Sequence, residues 1–465
     1  MATVATAERA QKQFVGYLPN DAPPLGAMIG LAFQHVLTMF PATVLVAILT
    51  TFDVGVTLFA SGLATIVALL VSSRLAKSYI PLYYGSSFSY IAPVVAITVT
   101  NIYGIDDPVT RIRMAQGGIM ATGLLNVLVG LLIRYVGKAR LDKVLPAEVT
   151  GSVATVIGIA LAYAALSMAQ AHWGVAVITL LVTILFSVYL RGRGFMGMVP
   201  ILLGAIVGYL ISIPLGLVDF TPVAETPLFR LPPFTLPIFT WGAILAIAPI
   251  AIATIPESTA HLYQISLYVD QLAAELRRPA VKLSRFIGLN LICDGVGDAI
   301  NGMLGGCAGT NYGENNSLMA ITRNYSGPAL ITAGVIAILL GFIGKLAALV
   351  GTLPLAVTGG LAIYLFGIIG AQGIALQIAQ KVNLFDPRKL AVIATILVIG
   401  IGGSIGYAGG MIPFQVGNAV NWQLPAIATS AVVGILLNLI FMIFPARNID
   451  REFEELPIEE LKLEV

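Results

Sequence analysis

Apolar runs recur along the chain, separated by short polar connections, and most approach the roughly 20 residues that a helix needs to cross a bilayer core. They predict spans at 26–49, 54–73, 114–137, 147–168, 172–190, 195–217, 240–264, 284–303, 326–351, 355–378, 389–407 and 424–444. Two more apolar segments, 84–100 and 312–323, are interrupted by Gly and polar residues and are too short to cross alone. Completed by an extended stretch leading into each, they raise the expected number of crossings to fourteen.

Composition agrees, since 58% hydrophobic and 10% charged residues put the chain outside the soluble globular class. The expected fold is an all-α polytopic membrane protein. A net charge of +2 is too small to argue for nucleic acid. Residues 1–24 are polar and lack a secretory leader's apolar core. Cys293 and Cys307 imply no disulfide framework and read as small packing residues.

Lys and Arg mark the cytoplasmic loops. With fourteen crossings and the N-terminus inside, the inner loops hold Arg74, Lys77, Arg134, Lys138, Arg140, Lys143, Arg191, Arg193, Arg277, Arg278, Lys282, Arg285, Arg323, Lys381, Arg388, Lys389 and Arg447. The outer loops hold only Arg111, Arg113, Arg230 and Lys345. If either interrupted segment failed to cross, the basic loops beyond it would change sides. Both ends of the chain are therefore expected in the cytoplasm, the Glu-rich tail from Arg447 included.

Fourteen crossings divide into seven and seven, and an odd number per half gives the halves opposite orientations. The interrupted segments stand third in each half: Tyr84-Gly85-Ser86-Ser87-Phe88-Ser89-Tyr90-Ile91-Ala92 and Tyr312-Gly313-Glu314-Asn315-Asn316-Ser317-Leu318-Met319-Ala320 share Tyr, Gly, Ser and Ala in register. Each is expected to start a half-helix near the midplane, just after Gly85 and Gly313. The residues before them, 79–84 and 310–312, are expected to pair as a short antiparallel ribbon shortened by Pro81. A helix starting at that depth leaves N–H groups that lipid cannot satisfy, so they face a cavity or a ligand.

Two acids, Glu257 and Glu314, lie inside apolar surroundings, where a carboxylate is costly and therefore marks a functional site. Two carboxylate acceptors and two sets of helix-start donors match a planar, amide-like ligand with adjacent N–H and C=O groups, such as a nucleobase. Phe88 either stacks on that ring or packs as an ordinary aromatic. His261 stands one helical turn from Glu257, close enough to share a proton or to make a structural hydrogen bond. His35 reads as a polar tie between helices and His172 as a loop residue. Asp294 and Asp298, also one turn apart, either bond Ser, Thr or backbone donors of the half-helices or serve a proton path; Gly295, Gly297 and Asn301 beside them mark close helix packing.

Tyr312-Gly313-Glu314-Asn315 with Ala320-Ile321-Thr322-Arg323, together with Gly85-Ser86-Ser87-Phe88 and Gln34-His35, resembles the nucleobase-ascorbate transporter family (nucleobase:cation symporter-2), bacterial uracil permeases in particular. The resemblance runs from about residue 25 to 445. It implies two inverted seven-segment repeats, with segments 3 and 10 broken into a short strand plus half-helix. It also implies a core domain of 26–137 and 240–351 and a gate domain of 138–239 and 352–446, flanked by cytoplasmic ends 1–25 and 447–465. By position, Glu257 and Glu314 resemble the substrate-binding glutamates, Phe88 and Gly313 the backbone donors, Ala42 a small contact residue, and His261 the proton-linked histidine. The activity implied is proton-coupled uptake of a nucleobase, uracil first, by a homodimer in the cell membrane, with H+ as coupling ion and no other cofactor. Ser317 and Pro41 stand where the family usually has Gly. A xanthine or urate permease is the alternative within the family, and an anion transporter the alternative within the architecture. A channel would need a continuous polar lining, and an enzyme a nucleophile or metal constellation that three scattered His and two Cys do not supply.

Overall fold

The computed structural model describes residues 16–137, 140, 143–190, 196–197, 199–416 and 420–444. Its helices follow the apolar runs: α1 Leu25–Thr50, α2 Val54–Ala76, α3 Phe88–Thr98, α4 Pro108–Val136, α5 Ala147–Ala169, α6 Trp173–Tyr189 and α7 Pro200–Ser212. The second half continues with α8 Trp241–Glu275, α9 Ile287–Leu304, α10 Gly313–Thr322, α11 Gly327–Gly341, α12 Leu355–Ala379, α13 Pro387–Gly406 and α14 Ala426–Ile443. Eight of these are long and apolar enough to cross a bilayer, and α3, α6, α7 and α11 are shorter apolar helices. The chain is a multi-pass membrane protein. Lys138, Arg191, Arg193 and the tail from Arg447 lie outside the described residues, as do residues 1–15.

Local chemistry sets the helix ends. Asp53 caps α2 by accepting from Val56 N at 2.9 Å, and Asp107 caps α4 through Thr110 N at 2.9 Å. With Pro108 preset for the first turn, α4 therefore begins six residues ahead of its apolar run. The predicted span 326–351 is two helices. It breaks after Gly341, and a separate turn of helix, Gly344–Gly351, follows. The predicted connection 408–423 contains a hairpin, β3 Met411–Val416 with β4 Val420–Pro425. At its base Gly409 adopts a left-handed backbone, and a Cβ there would meet the Ala96 Cβ of α3 at 2.7 Å.

Glycine seams bring helices of the first half against helices of the second. A Cβ on Gly55 would meet Gly341 O at 2.7 Å, and Gly62 faces Gly334, so α2 lies directly on α11. Gly123 against Gly295 O at 2.5 Å and Gly130 against Gly288 O at 2.6 Å do the same for α4 and α9. Gly151 faces Gly373 and Gly158 faces Gly370 where α5 meets α12. Helices within a bilayer gain nothing from hiding apolar surface, so backbone approach of this kind supplies the dispersion and dipolar contact that holds them. Of the glycines expected to mark packing, Gly295 sits in a seam, whereas Gly297 meets only Ala64 at an ordinary 3.5 Å.

The connection from α7 to α8 is pinned along the ends of these helices. Arg230 pairs with Asp53 at 2.6 Å, its N–H donates to Phe342 O at 2.9 Å, and Thr235 and Leu236 accept from Gln116 and Arg113.

Candidate functional site

β1, Tyr84–Ser86, and β2, Gly309–Asn311, pair antiparallel in the register Tyr84 to Asn311, Gly85 to Thr310 and Ser86 to Gly309. Tyr312 N to Tyr83 O at 2.9 Å and Ser87 N to Ala308 O at 2.8 Å extend the ribbon at either end. It is displaced from the expected pairing, because Gly85 belongs to the strand and does not stand at the helix start. The reason is steric: the Tyr312 ring lies over Gly85, where any Cβ would overlap it. Tyr312 is held there by Thr43, with 2.9 Å between the hydroxyls. Side chains satisfy the ribbon's outer edges, as buried backbone requires. Ser61 donates to Tyr84 O at 2.6 Å, Tyr84 N donates to Thr65 Oγ1 at 3.0 Å, and Gly309 N donates to Asp298 at 2.6 Å.

Each strand leads directly into a short helix, β1 into α3 and β2 into α10. α3 opens with a tight turn at Phe88–Tyr90, capped by Ser87 through Ser89 N at 3.3 Å. α10 opens at Gly313 with Tyr312 before it and no side-chain cap. A first helical turn without a cap presents N–H groups and the positive end of its dipole to whatever lies in front.

The predicted residues stand on four elements around this ribbon, α1, α3, α8 and α10. Glu257 stands on α8 beside Pro256, and Ser89 Oγ donates to its Oε2 at 3.3 Å. Glu314 is in the first turn of α10. Both acids are half-buried, whereas Ser258, Asn315 and Asn316 beside them are buried. Ala42 is buried in α1, and Pro41 sits inside that helix without ending it. Ser317 is exposed, and its hydroxyl bonds back to Gly313 O at 3.1 Å. Phe88 packs edge-on against Phe366 of α12, with ring centres 5.7 Å apart.

His261 is oriented by Asn311. Its Nδ1 lies 2.9 Å from Asn311 O and 2.8 Å from Asn311 Oδ1, so the proton on Nδ1 faces two acceptors. Nε2 then points at Gly313, where a Cβ would stand 2.9 Å away. Gly313 is thus the residue that lets the imidazole reach the helix start. The one-turn spacing puts His261 and Glu257 on the same helix, but the imidazole's anchoring partner is on β2.

Behind the site, Ser258 receives Nδ2 donors from Asn290 and Asn311, each at 2.7 Å, and donates to Asp294. Asp298 accepts from Gly309 N, Tyr90 and Asn126. Asp298 therefore bonds a backbone donor of the strand leading into α10, whereas the serine that Asp294 bonds stands on α8. His35 ties α1 to α10 through Asn315 Nδ2 at 3.1 Å, and His172 caps α6 through Val175 N at 3.2 Å. Both cysteines are buried thiols. Sequence reasoning passed over Ser89, Ser258, Asn290 and Asn311. Ser89 lies within the quoted motif, but only the fold reveals that it faces Glu257. Among the described residues no group of three or more His, Cys, Asp or Glu is gathered to hold a metal.

Known proteins match this arrangement. A family model described as "Permease family" matches residues 26–409. The uracil permease of Bacillus caldolyticus is 37% identical over 436 residues, covering 90% of this chain and 93% of the relative. The uracil permease of Escherichia coli (strain K12) is 35% identical, covering 91% and 93%. In fold, the chain resembles the murine anion transporter Slc26a9 in its inward-facing state, with a TM-score of 0.62 at 10% identity, over 95% of this chain and 75% of that one.

Proposed function

Because this chain belongs to the nucleobase-ascorbate transporter family, we propose that it carries a nucleobase, most readily uracil, into the cell together with a proton. The observation that carries this reading is that Glu257 of α8 accepts from Ser89 in the opening turn of α3, while Glu314 stands in the first turn of α10, which has no side-chain cap. Uracil offers two ring N–H groups, which the carboxylates accept, and two carbonyls, which take N–H from near Phe88 and Gly313. Charged hydrogen bonds of this kind contribute about 1.5–3 kcal/mol each. Ala42 forms the wall on the α1 side.

His261 supplies the proton-linked group. Held by Asn311 at Nδ1, its Nε2 is the nitrogen free to exchange a proton at the site, with Glu257 one turn away. A neutral base moving with a proton makes transport electrogenic and driven by an inward proton gradient. Two carboxylates in the pocket argue against an anion as cargo, although the fold is shared with an anion transporter.

In this reading the chain makes fourteen crossings as two inverted repeats, β1–α3 and β2–α10 being segments 3 and 10. The core is α1–α4 with α8–α11, the gate α5–α7 with α12–α14, and both termini are cytoplasmic. The glycine seams support it: Gly55 and Gly62 hold in the first half the places that Gly288 and Gly295 hold in the second. Gly334 and Gly341 answer to Gly123 and Gly130 in the same way, and the α5–α12 seam maps onto itself. Exposed apolar faces on the gate, such as Val177, Leu181, Leu185 and Val188 of α6, offer lipid contact and the surface for a homodimer.

Uptake of labelled uracil by proteoliposomes, with unlabelled uracil, xanthine, urate and bicarbonate as competitors, tests the substrate. Uracil should compete strongly and bicarbonate not at all. Competition by xanthine or urate alone would move the substrate to the purines. Uptake with and without an imposed pH gradient in sodium-free buffer tests the coupling ion; equal uptake in both, with stimulation by added sodium, would reassign it.

A further inference from the structure

Asp298 has no direct part in the site described above, yet it touches both of its halves. The residue is fully buried in α9, at 0% exposure. Its Oδ1 accepts from Gly309 N at 2.6 Å, which fixes the edge of β2 four residues before Gly313. Oδ2 accepts from the Tyr90 hydroxyl at 3.3 Å, in the same turn that presents Phe88 and Ser89. Asn126 of α4 adds a longer contact to the same oxygen at 3.5 Å. One carboxyl group thus bonds α3, β2 and α4 from a fourth element, and Gly309 is itself paired with Ser86 across the ribbon.

We infer that Asp298 is a positioning residue, which sets the distance between the two helix starts and thereby the fit of the nucleobase between them. Neighbouring Asp294 differs, since it bonds Ser258 and Asn311 on one oxygen and its Oδ1 has no hydrogen-bond partner among the described residues. Asp298 uses both oxygens as acceptors for groups of the fold. Asparagine at 298 keeps one acceptor for Gly309 N–H and turns its amide toward Tyr90, whose hydroxyl is able to accept as well as donate. Alanine removes both ties, and loosening a site by a fraction of an ångström is enough to weaken binding. A proton carrier would behave in the opposite way, because asparagine abolishes the proton while preserving the shape.

This inference rests on the nucleobase-binding reading, and wild-type protein provides the control that separates the two: without saturable uracil binding by the wild type, that reading itself fails. Uracil affinity, counterflow and gradient-driven uptake would be measured for purified Asp298→Asn, Asp298→Ala, Tyr90→Phe and the Asp298→Ala/Tyr90→Phe pair. Expected are an affinity loss of about tenfold for Asp298→Ala, about threefold for Tyr90→Phe, and no further loss in the double variant, as groups in one contact are non-additive. Asp298→Asn should bind within about threefold of wild type and still accumulate uracil down a pH gradient. Additive losses in the double variant, or wild-type affinity in Asp298→Ala, overturn the inference. So does an Asp298→Asn protein that exchanges uracil but no longer accumulates it. If Asp298→Ala does not fold, unchanged affinity in Tyr90→Phe overturns it alone.

Discussion

Segments 84–98 and 309–322 meet along a three-residue ribbon, yet one opens its helix with Ser87-Phe88-Ser89 and the other with Gly313-Glu314-Asn315. In the first, the opening turn is capped by its own serine, and the aromatic ring packs against α12. The second carries an acid and two amides, no cap, and a bare glycine against which His261 rests. Each strand leads into a short helix, and the chemistry at the two helix starts differs. The first segment brings one side-chain donor, Ser89, to Glu257, whereas Glu257, His261 and Glu314 all belong to the second half of the chain.

Changes that act on the chemically active side should be largest. His261→Ala is expected to bind uracil and exchange it in counterflow while losing accumulation driven by a pH gradient. Accumulation at the wild-type level would leave the imidazole as a helix tie to Asn311. Glu314→Gln turns an acceptor into a donor facing a ring N–H, and affinity should fall by about 2–3 kcal/mol, a factor of roughly 30 to 150. A loss below threefold, read by equilibrium binding, would remove α10's acid from the site; Glu257→Gln should match it.

Changes on the other side act through shape. Gly85→Ala places a methyl group in the Tyr312 ring, so the cost of about 1–3 kcal/mol typical of overpacking should appear as a lowered unfolding temperature. Unaltered stability would mean that the ribbon shifts freely and that the register is not what positions α10. The smallest effect belongs to Ser89→Ala, which removes one donor from Glu257 at 3.3 Å. Affinity should drop by about 1 kcal/mol, or fivefold, with gradient-driven uptake intact. A loss as large as that of Glu314→Gln would make the first segment an equal partner in the chemistry.

The apolar runs alone determined that this chain lies in a bilayer, because about 20 residues of low polarity have few other fates in water. They placed α1, α2, α5, α6, α12 and α14 within a few residues. Glu257 and Glu314 stood out for the same reason, since an ionisable group in apolar surroundings needs a partner or a task, and His261 stood out by its one-turn spacing from Glu257. Tertiary structure decided the rest. That Gly344–Gly351 is a separate helix and that 411–425 forms a hairpin depend on which neighbours cover the backbone, and hydropathy does not encode this. Gly85 belongs to the strand only because Tyr312, more than two hundred residues away, lies on it. Ser89 and Asn311 are ordinary polar residues in sequence, and their contacts arise between distant elements, as does the choice of partners for Asp298. Burial is a property that each residue carries in its own chemistry, whereas a hydrogen-bonded contact belongs to a pair, and only the folded chain brings the pair together.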